Sequence, residues 1–547
     1  MKRILLLVNT LVHLKWKQIF YQVYYRIRKP RLCKLDASPI RKKLPAWHGL
    51  QFVEPATLDG KTFNFLGKTA DLHNDWNSDK FSKLWLYNLH YHDDLNAIGA
   101  LERKQLNNQL INKWIEANPP LTGNGWEPYC LSLRIVNWVK WFSQSDPHEL
   151  NPRWVSSLCK QTDALMQQLE YHILGNHLFA NAKALVFAGS YLSNDYWLKN
   201  GLKILDKEIP EQFLEDGAHF ELSPMYHAIL LWDLADLLTL TQVAALPELQ
   251  LRKAEWQQRF IKGLEWLQSM VHPDGDISFF NDATIGIAPT LKDLINYASK
   301  LNIDVTTPKL GTILNGKLLK SSGYAVFDWP ENHRLLVDVA KVGPDYQPGH
   351  AHADTLSFEL SLFGQRLLVN SGISQYGEDA ERHRQRSTSA HNTVEVDDQN
   401  SSEIWAGFRV ARRAKPQDIK LKNNNDHVTL QASHNGYHRL PRRVTHHRSW
   451  TAHSNSLVIS DRLVGGFDNA IAHWHLHPSI IVTDIGNGSF HLALPSNHIV
   501  SLHISGATVS LLQSTWHPKF GASIENQKLE LTFQSCQIET TLKWNSI

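Results

Sequence analysis

The chain has 547 residues, 42% of them hydrophobic and 20% charged, with a formal net charge of +3. That length exceeds what one hydrophobic core usually serves, so two large domains are expected, and the balanced composition points away from a disordered chain or a nucleic-acid binder. The four cysteines (Cys33, Cys130, Cys159 and Cys536) are scattered without a CxxC or paired spacing, which argues against a disulfide framework.

The charge is unevenly spread. Residues 1–35 carry nine Lys and Arg and no acid, leaving 47 bases against 53 acids in the remainder, a net of about −6. Trp16, Ile19, Phe20, Val23, Tyr24 and Ile27 recur there at roughly helical spacing. Two readings stand: a membrane-surface helix, or an amphipathic helix docked on its own domain. The apolar run Ile4–Val8 is short, is broken by Asn9 and Thr10, and is followed by no A-x-A-like cleavage site. No run reaches the ~18 apolar residues of a membrane span. The expectation is a soluble, unsecreted protein, cytoplasmic and peripheral at the inner membrane through residues 1–35, with the periplasm as the alternative.

From about 80 to 305 the apolar period is helical. Leu89–Leu101, Asn107–Ala117, Trp154–Leu169, Leu178–Leu192, Trp197–Ile209, Met225–Val243 and Leu251–Val271 are predicted helices, joined by short connections with Pro, Gly or Asn. Such a run suggests an α/α toroid or a helical array. After about 310 the period becomes two, with strands predicted at 324–327, 335–339, 356–362, 393–396, 428–432, 456–460, 472–475 and 529–533. The predicted fold class is therefore α+β multidomain. Residues 1–79 form a basic lead-in, 80–310 a helical domain and 311–547 an antiparallel β-sandwich, with the boundary near Thr306–Gly316.

Three stretches of the helical half carry chemistry. Trp126-Glu127-Pro128-Tyr129 leads into a helix on which Arg134 and Asn137, three apart, share a face that could hold a carboxylate; an Arg134–Glu127 structural pair is the competing reading. Gly175-Asn176-His177 precedes the helix from Leu178 and puts an amide and an imidazole at its positive end, where an anion is favoured, although Asn176 would also serve as a plain cap. Ser223-Pro224-Met225-Tyr226-His227 sets a phenol and an imidazole at the start of another helix.

In the β half, Gly349-His350-Ala351-His352-Ala353-Asp354 runs into Leu356, Phe358 and Leu360. Read as one strand, it places two imidazoles and a carboxylate in line with a buried apolar face, where they must be hydrogen-bonded, metal-bound or catalytic. Arg382, Arg384 and Arg386 follow, then Ser387-Thr388-Ser389-Ala390-His391-Asn392-Thr393.

Together these motifs resemble the heparinase II/III-like family of polysaccharide lyases. The resemblance runs from about residue 80 onward and implies an incomplete (α/α) toroid, an antiparallel β-sandwich, and an acidic polysaccharide bound between them. It implies β-elimination at a uronic acid: Asn176, with His177, would neutralise the carboxylate, while Tyr226 and His350 would supply base and acid. His177, Arg134, Asn137, Trp126 and Arg386 are the candidate substrate contacts. His352 and His391 match positions that hold one structural divalent metal, zinc or calcium, in some relatives. The third position, commonly Asp, is Asn370 here, a poorer zinc ligand. A uronate C5-epimerase sharing the first half-reaction and a non-catalytic glycan-binding protein are the alternatives.

Overall fold

A computed structural model describes residues 2–32, 46–72, 75–146, 148, 150–306 and 313–545. The chain opens with α1 (Lys2–Leu11) and α2 (Trp16–Ile27), then a small hairpin of Thr62–Phe65 and Lys68–Asp71. The helical domain follows: α3 (Lys83–Tyr91), α4 (Lys104–Ala117), α5 (Pro128–Phe142), α6 (Pro152–Met166), α7 (Gly175–Tyr191), α8 (Asp195–Gln212), α9 (Pro224–Ala244), α10 (Pro247–Gln250), α11 (Lys253–Met270) and α12 (Leu291–Lys300).

Local chemistry sets the starts of these helices. Ser82, Asn151, Asn194, Ser223 and Thr290 cap α3, α6, α8, α9 and α12 with a side-chain oxygen, and Asp293 returns the bond to Thr290. Pro128, Pro152 and Pro224 occupy first-turn positions where no N–H is needed. Helices α7 and α9 are buried on nearly every side and form the middle of the domain.

The expected helix Leu89–Leu101 stops at Tyr91, where His92 turns left-handed at φ 60° and a single 3₁₀ turn, Asp93–Asn96, follows. Tertiary bonds explain this. The Asp94 carboxylate accepts from the backbone N–H groups of Ala56 and Thr57, and Asn107 donates to the carbonyl of Ala100.

Among the described residues the β half holds three large antiparallel sheets and a two-stranded ribbon, Ile404–Trp405 with Arg409–Val410. Asn315–Leu319, Tyr324–Trp329, His333–Asp338, Phe358–Leu362 and Gln365–Leu368 form a five-stranded meander. An eight-stranded sheet runs from Pro416–Asn423 at one edge to Ile481–Gly486 at the other, and a four-stranded sheet joins Ala507–Trp516, Ile524–Phe533, Ala470–His475 and Val394–Val396. Inward residues of all three, among them Leu335, Phe358, Trp450, Trp474 and Leu531, pack into one core. Burial alternates residue by residue along Val444–His453, the mark of a strand with one face in that core. The other face of the meander, through Tyr324, Val326 and Leu336, packs on Ala218, Trp266, Met270 and Phe280, joining the sandwich to the helical domain. The expected boundary spans 307–312, outside the described residues; α12 ends at Lys300 and the first strand of the meander begins at Asn315.

One strand expectation is overturned. The chain from His350 to Ser357 is a loop, with Leu356 at φ 66° and a turn closed by the Ser357 N–H on the Asp354 carbonyl at 2.8 Å; the strand begins only at Phe358. The first residues of the loop are held by the segment between α11 and α12, and only its end, through Leu356 and Ser357, bonds the neighbouring strand at Asp338. The His350 carbonyl accepts from the Asp282 N–H at 3.0 Å, and the His352 N–H donates to Asn281 Oδ1 at 3.1 Å.

Candidate active site

Both halves of the molecule meet at one carboxylate. Asp282 follows Asn281, whose φ of 58° turns the chain between α11 and α12. The Asp282 Oδ2 faces His350 Nδ1 at 2.9 Å, its Oδ1 faces His352 Nε2 at 2.8 Å, and Arg382 forks across both oxygens. Burial alone would push this carboxyl up. The Arg382 guanidinium and the hydrogen bonds from both histidines outweigh that and hold it well below the usual carboxylate range. Because a carboxylate only accepts, Nδ1 of His350 carries the proton, and in the neutral ring Nε2 is left bare.

The bare Nε2 points toward Glu221, whose Oε2 lies 3.5 Å away and has no hydrogen-bond partner among the described residues. Burial pushes the Glu221 carboxyl up against the pull of His350 and of the Asn176 N–H, which donates to Oε1 at 3.2 Å. Ser223, the cap of α9, donates to the Asp282 carbonyl at 2.6 Å and fixes the first turn that carries Tyr226. The Tyr226 ring stacks on His350 with centroids 3.8 Å apart, and its hydroxyl meets that of Tyr376 at 3.0 Å. Burial and the neighbouring Tyr376 push the Tyr226 phenol well up, so it stays protonated.

Asn176 and His177 belong to the first turn of α7, one turn earlier than the predicted start. Gly175 makes this turn possible: it sits at φ 57°, and a Cβ there would meet Glu221 Oε1 at 2.7 Å. The side-chain amide of Asn176 is buried, and its oxygen has no partner among the described residues, which leaves it for a ligand. His177 pairs through Nδ1 with Glu170 at 2.9 Å and lies against the Tyr129 ring at 4.5 Å. Burial lowers the affinity of His177 for a proton, but the charge and hydrogen bond of Glu170 raise it more, so the net direction is up.

Four predicted substrate contacts are corrected. Arg134 is fully buried and donates to Gln161 and to the carbonyls of His90 and Gly125, stacked 3.8 Å from Trp114; its predicted face looks into the core. Asn137 is spent on the Tyr91 carbonyl and Asp93 at 3.0 and 2.7 Å. The competing Arg134–Glu127 pair is absent too, since Glu127 takes Lys83 and Tyr87 instead. Trp126 is buried and donates to the Asn118 carbonyl. Arg386 is fully buried and ties the Ala351 carbonyl to those of Ala406 and Gly407, so it braces the His350 loop from behind.

The metal reading is corrected at one position. His352 Nδ1 and His391 Nε2 approach to 3.1 Å, as that reading requires. The Asn370 amide is turned away, donating to the Phe279 carbonyl and accepting from the Asn392 N–H. Asp354 takes its place: one ligand atom each of His352, Asp354 and His391 lie within 4.8 Å of one another. Burial keeps His352 neutral, lowering it to about 4, and pushes Asp354 up to about 6. Two neutral imidazoles beside a buried carboxyl fit a divalent cation, and the nitrogen donors suit zinc better than calcium.

Sequence reasoning missed Asp282, Glu221 and Tyr376 as site residues. A detectable signal existed only for Asp282, an acid next to Asn and set among Phe279, Phe280 and Ala283.

Comparison with known proteins identifies relatives of both halves of the chain. A model of the heparinase II/III N-terminus matches residues 102–303, and one of the heparinase II/III-like C-terminal domain matches residues 314–545. A heparin-sulfate lyase of Pedobacter heparinus is 27% identical over 354 residues, covering 59% of this chain and 49% of that protein. One of Bacteroides stercoris is 26% identical over 342 residues, covering 58% and 47%. The chain spans about half the length of the curated relatives it matches. In fold, a crystal structure of heparinase III superposes with a TM-score of 0.69 at 20% identity, covering 96% of this chain and 89% of that one, which establishes the helical toroid followed by a β-sandwich. With both halves matched by its models, the chain belongs to the heparinase II/III-like family.

Proposed function

We propose that the chain is a polysaccharide lyase that cuts a uronic-acid-containing polymer by β-elimination. The observation that carries this is the stacked Tyr226–His350 pair, with the imidazole oriented by Asp282 and, at the same cleft, the Asn176 side-chain amide, whose oxygen has no partner among the described residues. A uronate C5 proton is poorly acidic because the adjacent carboxylate is already negative. Hydrogen bonds from the Asn176 side-chain N–H group draw that negative charge and let it grow as C5 loses its proton, with His177 and the buried Glu221 carboxyl beside it. His350 Nε2 takes the C5 proton. The Tyr226 phenol gives its proton to the departing O4 as the C4–C5 double bond forms, so electrons and protons balance without an oxidant or a nucleophile.

A cation held by His352, His391 and Asp354 would tie the His350 loop to the segment after Arg386. When bound it supplies structural rigidity; the proton transfers belong to the side chains. The substrate is an acidic polysaccharide, and heparan-sulfate-like chains are its first candidates because curated relatives are named heparin-sulfate lyases. The test is incubation with several uronate polymers while following ultraviolet absorbance of new unsaturated uronyl ends. Absorbance that grows with cleavage supports the lyase. Solvent deuterium entering C5 without absorbance would make the chain an epimerase, and binding with neither would leave a glycan-binding protein.

A further inference from the structure

Among the described residues twenty-five large apolar side chains are exposed, and eleven of them lie between Ile4 and Ile27. Ile4, Val12, Trp16 and Ile27 are 68, 70, 76 and 80% exposed. Exposed apolar residues are ordinary when scattered singly; so many on two consecutive short helices mark an interaction surface.

What α1 and α2 turn toward the protein is polar or aromatic. Gln18, the one fully buried residue of α2, donates to the carbonyls of Ile173 and Tyr346 at 3.3 and 3.1 Å. Tyr25 donates to the Leu169 carbonyl at 2.7 Å, and Tyr21 lies 4.8 Å from the ring of Tyr171. Thr10 accepts from the Trp405 indole, while Lys15 covers the Tyr346 ring at 3.7 Å and pairs with Glu211. The helices are docked, as one sequence reading expects, but through their polar side, and the apolar side faces out.

The charge carried by this element itself has one sign, and of the acids beside it Glu211 is paired with Lys15. Arg3, Lys15, Lys17, Arg26, Arg28, Lys29 and Arg31 are exposed, and the chain has no acid before Asp36. Two copies of this face brought together would set bases against bases, whereas an anionic lipid surface complements both its charge and its apolar character.

We propose that α1 and α2 form an interfacial membrane-docking element, lying flat on an anionic lipid surface with the apolar side chains among the acyl chains and the Lys and Arg residues at the headgroups. No helix among the described residues is long and apolar enough to cross a membrane, so the attachment made here is peripheral. The element also adjoins the cleft. Through Gln18 it holds Ile173, three residues before Asn176, and Tyr346, four residues before His350. Docking therefore sets the edge of the cleft beside the lipid, within reach of a polymer that is attached to or emerging from the membrane.

The experiment is flotation of the full chain on vesicles of phosphatidylcholine with phosphatidylglycerol, against phosphatidylcholine alone. Two variants accompany it, Trp16→Ser/Phe20→Ser on the apolar side and Arg26→Gln/Lys29→Gln on the basic rim. All four positions are exposed, so the fold is expected to survive, checked by circular dichroism and the thermal midpoint. The expected result is flotation on the anionic vesicles that weakens with salt, falls about tenfold or more in the apolar pair, and falls less in the basic pair. No flotation of the full chain at low salt overturns the proposal. So does flotation that the apolar pair leaves unchanged, or a dimer in sedimentation that the apolar pair abolishes, which would assign this face to a second copy. None of these readouts depends on turnover.

Discussion

The Tyr226 ring lies on the His350 imidazole, centroids 3.8 Å apart and planes 28° from parallel. A sugar ring between them would need roughly 3.5 Å of clearance on each side, so none fits. Acid and base must then reach the substrate from the same side, which supports a syn elimination. The stacking favours His350 as base and Tyr226 as acid on that one face. His350→Ala and Tyr226→Phe are each expected to lower kcat by roughly 10² to 10⁴-fold with the fold retained. Polymers with defined C5 configuration check the stereochemistry: preference for the epimer whose C5–H and C4–O4 lie on one face supports it, and equal rates on both count against it.

Asp282 is a positioning residue. It orients His350 and His352 and neutralises a buried guanidinium. Asp282→Asn presents an amide that can hold His350 in the opposite tautomer, with the proton on Nε2, where the base is needed. We expect kcat to fall by roughly 10²-fold or more with KM little changed. Arg382 loses its counter-charge in the same variant, and removing one partner of a buried pair costs about 3–5 kcal/mol, seen as a lower thermal midpoint. A variant that unfolds more easily yet keeps full kcat would restrict Asp282 to a structural role.

How much of this was legible follows from where the partners lie in the chain. Tyr226 and His350 stood out because each sits in a short motif of unusual composition. Asp282 did not, because its partners are 68, 70 and 100 residues away and only the fold joins them. Arg134 and Asn137 do share a helix face, as their spacing says. Spacing cannot tell a face turned to a cleft from one turned to the carbonyls of His90 and Gly125. The β half was legible as strands, but the His350 loop broke the alternation because Asn281 and Asp282 claim its backbone.

The cation is decided by elemental analysis of protein purified without added metal. At most one divalent ion per chain is expected, lost in His391→Ala and Asp354→Asn and kept in Asn370→Ala, whose amide faces two backbone groups instead. Loss in Asn370→Ala with retention in Asp354→Asn would restore the ligand set that the sequence suggested. A metal-free chain with full activity would make His352 and His391 a hydrogen-bonded pair only.

Acid should destabilise the helical domain through buried neutral histidines. Burial lowers His90 to about 3 and His227 to about 4, against about 6.5 in the unfolded chain. Between the folded and unfolded values the unfolded chain binds protons that the folded chain refuses, so stability rises with pH across that window. The contribution is fully present above about pH 6.5 and is lost as pH falls toward 3–4. The thermal midpoint should therefore drop steadily from pH 7 to pH 4, and more gently in His90→Gln, whose amide oxygen can still accept from the Trp114 indole that now meets His90 Nδ1 at 3.0 Å. A midpoint flat over that range would contradict the burial of these rings as neutral groups.

The role of Asn176 can be separated from mere binding by changing the substrate. If its amide neutralises the uronate carboxylate as C5 loses its proton, the loss in Asn176→Ala should fall mainly on kcat, roughly 10²-fold, because the interaction strengthens only as charge develops. Methyl esterification of the uronate removes that charge chemically. On the esterified polymer the proton is already more acidic, so wild type and Asn176→Ala should differ by only a few fold. His350→Ala should remain inactive on both polymers, since esterification replaces no base. The two side chains stand on different elements, Asn176 on the first turn of α7 and His350 on the loop before the Phe358 strand, so the variants can be read independently. An Asn176→Ala defect of equal size on both polymers would assign this amide to holding the substrate or shaping the cleft, and would leave Glu221 and His177 to face the carboxylate.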